Sequence, residues 1–193
     1  DLAYADGAFS APDDQNMTWA DIARRSNKAG GHSVLGEFTP PDVTYPNGCH
    51  ICEVEIDPTT GKVAFCDYVV VEDVGTVLSP DLVEGQMHGG VAQGIGQALG
   101  ETLLFDPQGQ LLTGSFLDYQ MPVASDFPSF RIVTIAVPTA INPLGAKGVG
   151  EAGTVGALAA TMNAVADALA SAGVHDFEMP ATPYRVWQAL QSS

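Results

Sequence analysis

An α+β fold is predicted by three features of the 193-residue sequence. Short runs of alternating apolar residues fall early and are separated by Pro and Gly clusters, the pattern of antiparallel strands. Two long segments with helix start and stop residues come later. The order of these segments lacks the regular strand–helix alternation of a parallel α/β sheet.

Residues 2–9, with Asp6-Gly7 at the centre, read as a short hairpin or edge piece, and residues 18–23 as a short helix capped by Thr18. Pro40-Pro41 and Pro46-Asn47-Gly48 then break the chain ahead of Val54 and Ile56. After a turn over residues 57–61, Val63 and Phe65 resume the alternation, and the second strand runs on through Tyr68-Val69-Val70-Val71. Ser79-Pro80-Asp81 is a helix start: Ser suits the cap, Pro the first helical position, and Asp the positive end of the dipole. A helix over residues 80–100 follows. Residues 101–105 and 110–113, joined by Asp106-Pro107-Gln108-Gly109, suggest a second hairpin, and residues 131–137 another strand. The last two helices are expected over residues 152–172, stopped by Gly173, and residues 183–190, capped by Thr182.

A composition of 46% hydrophobic residues is enough for one sizeable core or two small ones. Seven Lys and Arg against twenty-three Asp and Glu give a formal charge of −16, which repels a phosphate backbone and excludes nucleic acid as the expected partner. The longest apolar stretch, residues 157–172, is interrupted by Asn163, Asp167 and Ser171, so no membrane span is expected. The chain starts at Asp1, without a basic-then-apolar leader, and reads as a processed chain, a cleavage fragment or a trimmed one. Cys49, Cys52 and Cys66 are too few for a disulfide framework. They favour a reducing compartment, the cytoplasm, over the periplasm.

The helix over residues 80–100 carries Gly85, Gly89, Gly90, Gly94 and Gly96, and each interior glycine costs about 0.5–1 kcal/mol relative to Ala. Close helix packing or the approach of a ligand to bare backbone would offset that cost. Gln86, Gly90, Gln93 and Gln97 recur at helical spacing, so amides that both donate and accept line one face, as a heterocycle or phosphate would require. His88 lies off that stripe and reads as structural or solvent-facing.

A second glycine-rich stretch, residues 145–156, leads straight into the following helix and exposes N–H groups at its positive end. The Lys-Ser/Thr pair of a nucleotide-binding loop is absent. Within this stretch Glu151 is flanked by glycines that admit a substrate or cofactor. It is a candidate base whose protonation burial would favour and the helix dipole oppose, or else simply a helix cap.

Three blocks, Gly85-Gln86-Met87-His88-Gly89-Gly90-Val91-Ala92-Gln93-Gly94-Ile95-Gly96, Gly114-Ser115-Phe116-Leu117-Asp118-Tyr119-Gln120-Met121-Pro122 and Lys147-Gly148-Val149-Gly150-Glu151-Ala152-Gly153, occur in this order. They closely resemble the molybdenum-binding large subunit of the xanthine dehydrogenase, aldehyde oxidase and carbon monoxide dehydrogenase family. Asn47-Gly48-Cys49-His50, Val74-Gly75 and Asn142-Pro143-Leu144-Gly145 also fit. The resemblance implies the C-terminal part of the molybdenum-cofactor-binding domain of molybdenum hydroxylases. Residues 1–42 would be a peripheral segment, and residues 43–193 the cofactor-binding and catalytic-glutamate part.

The implied activity is hydroxylation of an aldehyde or aromatic N-heterocycle with water as oxygen source. Glu151 would act as base toward the molybdenum-bound hydroxyl, and electrons would leave through iron–sulfur clusters to a flavin or another acceptor. Gln86 aligns with a glutamine that contacts the pterin, and Lys147, Gly148, Val149 and Gly150 with the loop that approaches it. The metal is held by the pterin dithiolene in this family, so no residue here is assigned as a metal ligand.

A complete large subunit is several times longer than this chain. The cofactor would therefore be shared with the remaining N-terminal part of the subunit, and activity would require partner chains. An iron–sulfur cluster needs four thiolates, which three cysteines cannot supply, so 2Fe–2S clusters and FAD are expected on an iron–sulfur subunit and a flavin subunit. Cys49 and Cys52, three apart in a strand, point to opposite faces and read as structural. The chain could be a natural split subunit or a cleavage product. The alternative function is a non-catalytic interaction module that retains the fold, and a third reading is a metal-free acid/base enzyme using Glu151 and His88.

Overall fold

The computed structural model describes residues 3–12, 16–28, 33 and 35–192. The chain divides into two compact units, residues 1–39 and 40–193.

In the first unit, β1 (Ala3–Ala5), β2 (Ala8–Ser10) and β3 (Asn16–Thr18) form an antiparallel meander. Asp6 and Gly7 turn the first hairpin with φ of 51° and 79°, the paired left-handed conformation that suits a two-residue turn. Leu2, the first residue of the expected piece, lies outside the described residues. α1 (Trp19–Lys28) starts with a reciprocal cap. The Asp21 N–H donates to Thr18 Oγ1 and the Thr18 N–H to Asp21 Oδ2, each at 3.2 Å.

The second unit is built on the long hairpin of β4 (Asn47–Ile56) and β5 (Val63–Asp73). Asp57 shapes its turn by accepting from the Gly61 N–H at 2.7 Å through its carbonyl and from the Thr59 N–H at 2.8 Å through its carboxylate. A bulge opposite Glu53/Val54 passes over Cys66, so the pairing moves from Asp67 to Phe65. β6 (Arg131–Thr134) joins β5 in parallel, and the guanidinium of Arg131 pairs with Asp67. Residues 135–137, expected to extend this strand, leave the ladder: the Ile135 N–H still reaches Glu72 O, but the Val137 N–H turns to the Asp73 carboxylate.

α2 (Pro80–Leu99) and α3 (Ala152–Ala170) cross over one face of this sheet. Tyr68 and Val70 from β5, Met87, Val91 and Ile95 from α2, and Ala157 from α3 form one core. Burial of each Val or Ile there contributes about 1.5–3 kcal/mol. A second core gathers Val165, Leu169, Ala181 and Val186 around α4 (Pro183–Gln191), whose cap Thr182 accepts from the Arg185 N–H.

Two expectations are corrected. Ser79 occupies the cap position of α2 with extended backbone, but its side chain makes no capping bond; Pro80 already removes one N–H that would need an acceptor. The second hairpin shrinks to a single bridge between Phe105 and Leu111, closed by the Asp106 turn. Leu103, Leu104, Phe105 and Leu112 are all exposed there, so no buried face sustains a longer ladder.

Candidate active site

Apart from Gly96, which abuts Glu101 and Pro122, the glycines of α2 divide into two sets. A Cβ on Gly90 would lie 2.9 Å from Thr154 N and 3.0 Å from Gly153 Cα, and one on Gly153 would lie 2.8 Å from Met87 O. Gly94 is as tightly matched, with 2.7 Å to Ala157 Cβ. These residues let α2 and α3 cross nearly backbone to backbone. The expected ligand face is corrected accordingly: Gly90 is buried in the crossing, and Gln93 Oε1 accepts from Thr154 Oγ1 at 3.2 Å. Gly85 and Gly89, in contrast, have nothing within 4 Å, and Gln86 between them is exposed. This end of α2 has bare backbone and a free amide with no packing reason inside the chain.

The crossing brings that end of α2 beside the start of α3, where residues 142–147 are fastened to the end of β5. Gly75 bridges Ala146, the Lys147 N–H donates to Val74 O at 2.8 Å, and Asn142 exchanges two hydrogen bonds with the backbone of Ala146. Lys147 Nζ sits 2.5 Å from Asp73 Oδ2, with both side chains almost buried. The hydrogen bond from Lys147, aided by the Gly75 N–H, holds the Asp73 carboxyl down at about 2. The ammonium of Lys147 thus anchors the loop, leaving Gly148 and Gly150 to reach solvent.

Val149 packs against the core between two exposed glycines, each with nothing within 4 Å of its missing Cβ. Glu151 follows as the residue preceding the first turn of α3, with φ −114° and ψ 1° and no capping bond from its side chain. Glu151 thus occupies the N-cap position of α3 without capping it through its side chain, and its carboxylate is exposed in this chain.

Gly148, Gly150 and Glu151 line a cavity of about 560 Å³ with Asn47, His50 and Glu72. Its apolar walls come from Tyr45, Met87, Ala152 and Val155. A volume of that order suits a small organic ligand or part of a cofactor. Gln86, Lys147 and Val149 are outside its lining: Gln86 is one residue from Met87, Lys147 anchors and Val149 supports. His88, half-buried beside Glu84 and Phe130, does not line it either. A second cavity of about 370 Å³, between Phe65, Leu99, Gln120 and Phe127, is lined by Gly96, Gln120 and Pro122 of the motif blocks but by none of the residues expected to act on or hold the cofactor.

Asn47 and His50 lie in a segment that fits the family pattern but carries no expected site role, and Glu72 lies outside the motifs. His50 Nδ1 pairs with the Tyr68 hydroxyl at 2.9 Å, its ring abuts Gly156, and burial lowers its basicity. The signal for Glu72 was present in the sequence: it continues the alternation Tyr68, Val70, Glu72 and so puts a carboxyl on an apolar face. Cys49 and Cys66 are exposed, while burial pushes the half-buried Cys52 thiol up to about 11, so it stays protonated and inert.

Among the described residues no helix is long and apolar enough to cross a membrane. Residues 1–128 match the molybdopterin cofactor-binding domain family. The chain is 38% identical to the carbon monoxide dehydrogenase large chain of Hydrogenophaga pseudoflava over 93% of its own length and 23% of that protein. It is 47% identical to the nicotine 6-hydroxylase large subunit of Paenarthrobacter nicotinovorans over 76% of its length and 18% of that subunit. Quinoline 2-oxidoreductase from Pseudomonas putida 86 superimposes with a TM-score of 0.86 at 35% identity, over 99% of this chain and 26% of that one. The chain therefore spans about a fifth to a quarter of the length of these relatives. It belongs to the molybdenum hydroxylase family and carries part of the molybdopterin cofactor-binding domain.

Proposed function

We propose that this chain is the catalytic-glutamate portion of a molybdenum hydroxylase large subunit, with Glu151 as the base. One observation carries the reading: Glu151 stands at the mouth of α3 with a free carboxylate on the wall of the 560 Å³ cavity, between glycines that leave it approachable.

The residues present fit the family's cofactor. Gly85 and Gly89 leave open backbone, Gln86 offers a donor and an acceptor, and Gly148 and Gly150 admit a group that any Cβ would crowd. Gln86 and the backbone of residues 148–150 would hold it. When bound, the molybdenum–pterin cofactor supplies oxygen-transfer and two-electron chemistry. Glu151 then needs only to take up a proton at its carboxylate, a task worth about 10²–10⁴ in rate when the base is correctly placed. Val149 fixes the loop from below, and the Lys147–Asp73 pair fixes it from behind. The apolar walls at Tyr45, Met87 and Val155 suit an aldehyde or an aromatic N-heterocycle, and relatives named for nicotine and quinoline favour the heterocycle.

The remaining N-terminal part of the subunit would complete the site. An iron–sulfur subunit with 2Fe–2S clusters and a flavin subunit with FAD would carry electrons away, in the cytoplasm. Elemental analysis of the natively purified complex, with a mass-spectrometric inventory of its chains, tests this. Molybdenum and iron in material containing partner chains are expected. A chain that purifies alone with neither metal would overturn the reading in favour of a non-catalytic module. In the same complex, Gln86→Ala is expected to lower molybdenum content per chain, and unchanged content would remove Gln86 from the cofactor contacts.

A further inference from the structure

β5 places Tyr68, Val70 and Glu72 in one row facing the helices, and all three are buried. The first two belong in an apolar core. Glu72 is only 3% exposed, and a carboxylate so placed is costly unless its oxygens are satisfied. Oε1 accepts from Thr134 Oγ1 at a long 3.4 Å, and Oε2 has no partner among the described residues. The side chain lines the same cavity as Glu151.

Among the described residues the surroundings supply no counter-charge. From β4 the cavity receives Asn47 and His50, and the imidazole is already paired with Tyr68 and made less basic by burial. From the loop before α3 it receives a second acid, Glu151. Thr134 is the contact from β6, and Met87 the lining residue from α2. Lys147 is committed to Asp73, the neighbour of Glu72 on the opposite face of β5. Loss of water raises the Glu72 carboxyl above the usual range, and the Thr134 hydroxyl only partly counters this.

We propose that Glu72 binds the cofactor as a neutral acid, its Oε2–H donating to an acceptor atom of the pterin ring system, a carbonyl oxygen or ring nitrogen. A resident group is the fitting partner. A substrate that came and went would strand the buried oxygen at every turnover, whereas a bound cofactor satisfies it permanently. The proposal rests on the cavity being the cofactor site.

The test uses the assembled complex and measures pterin and molybdenum per chain after dialysis over a range of pH. Glu72→Gln, which keeps a neutral donor, is expected to retain the cofactor as the wild type does at low pH. Glu72→Leu is expected to retain it roughly ten-fold less well, as for loss of a buried neutral hydrogen bond. A neutral acid donates only below its pKa, so retention by the wild type should fall as pH rises through that value, while Glu72→Gln stays flat. Wild-type retention by Glu72→Leu would overturn the proposal, as would a Glu72→Gln curve that falls with pH like the wild type. Should Glu72→Leu fail to assemble, the wild-type and Gln curves still decide. Wild-type complex devoid of pterin would instead refute the cofactor reading of the whole cavity.

Discussion

Glu151→Gln is expected to lower turnover of the assembled enzyme by about 10²–10⁴-fold while molybdenum content stays at the wild-type level. The amide nearly keeps the shape of the side chain but cannot take up a proton. Because Glu151 makes no capping bond and is exposed, its replacement removes no packing or helix-start contact. The loop is held by Lys147, Val149 and Asn142, which the substitution leaves intact. Steady-state rates combined with metal analysis check the prediction. Turnover within ten-fold of wild type would show that the base is another group, and a parallel loss of molybdenum would show that Glu151 serves binding.

Gly90→Ala is expected to destabilise the crossing of α2 and α3. Its new methyl would meet Thr154 N at 2.9 Å and Gly153 Cα and C at 3.0 and 3.2 Å, all backbone atoms that cannot rotate aside. The helices must separate, at about 1–3 kcal/mol for overpacking of a tight core. For a domain of this size each kcal/mol lowers the midpoint by about 2–4 °C. Gly153 is two residues from Glu151, so turnover should fall as well. Gly89→Ala, one residue away with nothing within 4 Å, is the comparison. Judged by this chain alone it should gain about 0.5–1 kcal/mol of helix propensity. Thermal inactivation of the assembled complex separates the cases. Equal stability of Gly90→Ala and wild type would refute the close crossing, while a Gly89→Ala loss matching Gly90→Ala would mean that the rest of the subunit or the cofactor covers the open face.

The parts of this fold legible in the sequence are those set by local chemistry. Asp6-Gly7, Thr18, the Asp57 turn, Pro80, Thr182 and Gly173 each mark a boundary through their own backbone preference, and the elements begin or end there within a residue or two. The direction of β6 was not legible, because the same apolar run pairs parallel or antiparallel and only the path of α2 over the sheet decides. The amide stripe on α2 was half right for a related reason. Helical spacing places Gly90 among the glutamines, but it does not say that α3 lies against that edge of the helix. At the site, the motif around Glu151 was readable in the sequence. The place of His50 at the site was not, since it comes there through strand pairing and the approach of a helix that begins about a hundred residues further along the chain, while Glu72 was legible only as an acid on an apolar strand face.

The buried pair of Lys147 and Asp73 bears on how a rate–pH profile of the assembled complex should be interpreted. An acid limb in such a profile ordinarily has two explanations, titration of the reacting groups or collapse of the scaffold beneath them. With its folded pKa held down at about 2, Asp73 contributes stability above its unfolded value and loses it only as pH falls through the depressed one. Across the mildly acidic range the tether of the glycine loop therefore stays closed. It acts as a built-in reference, so a decline in rate there would not come from opening of the Lys147–Asp73 pair.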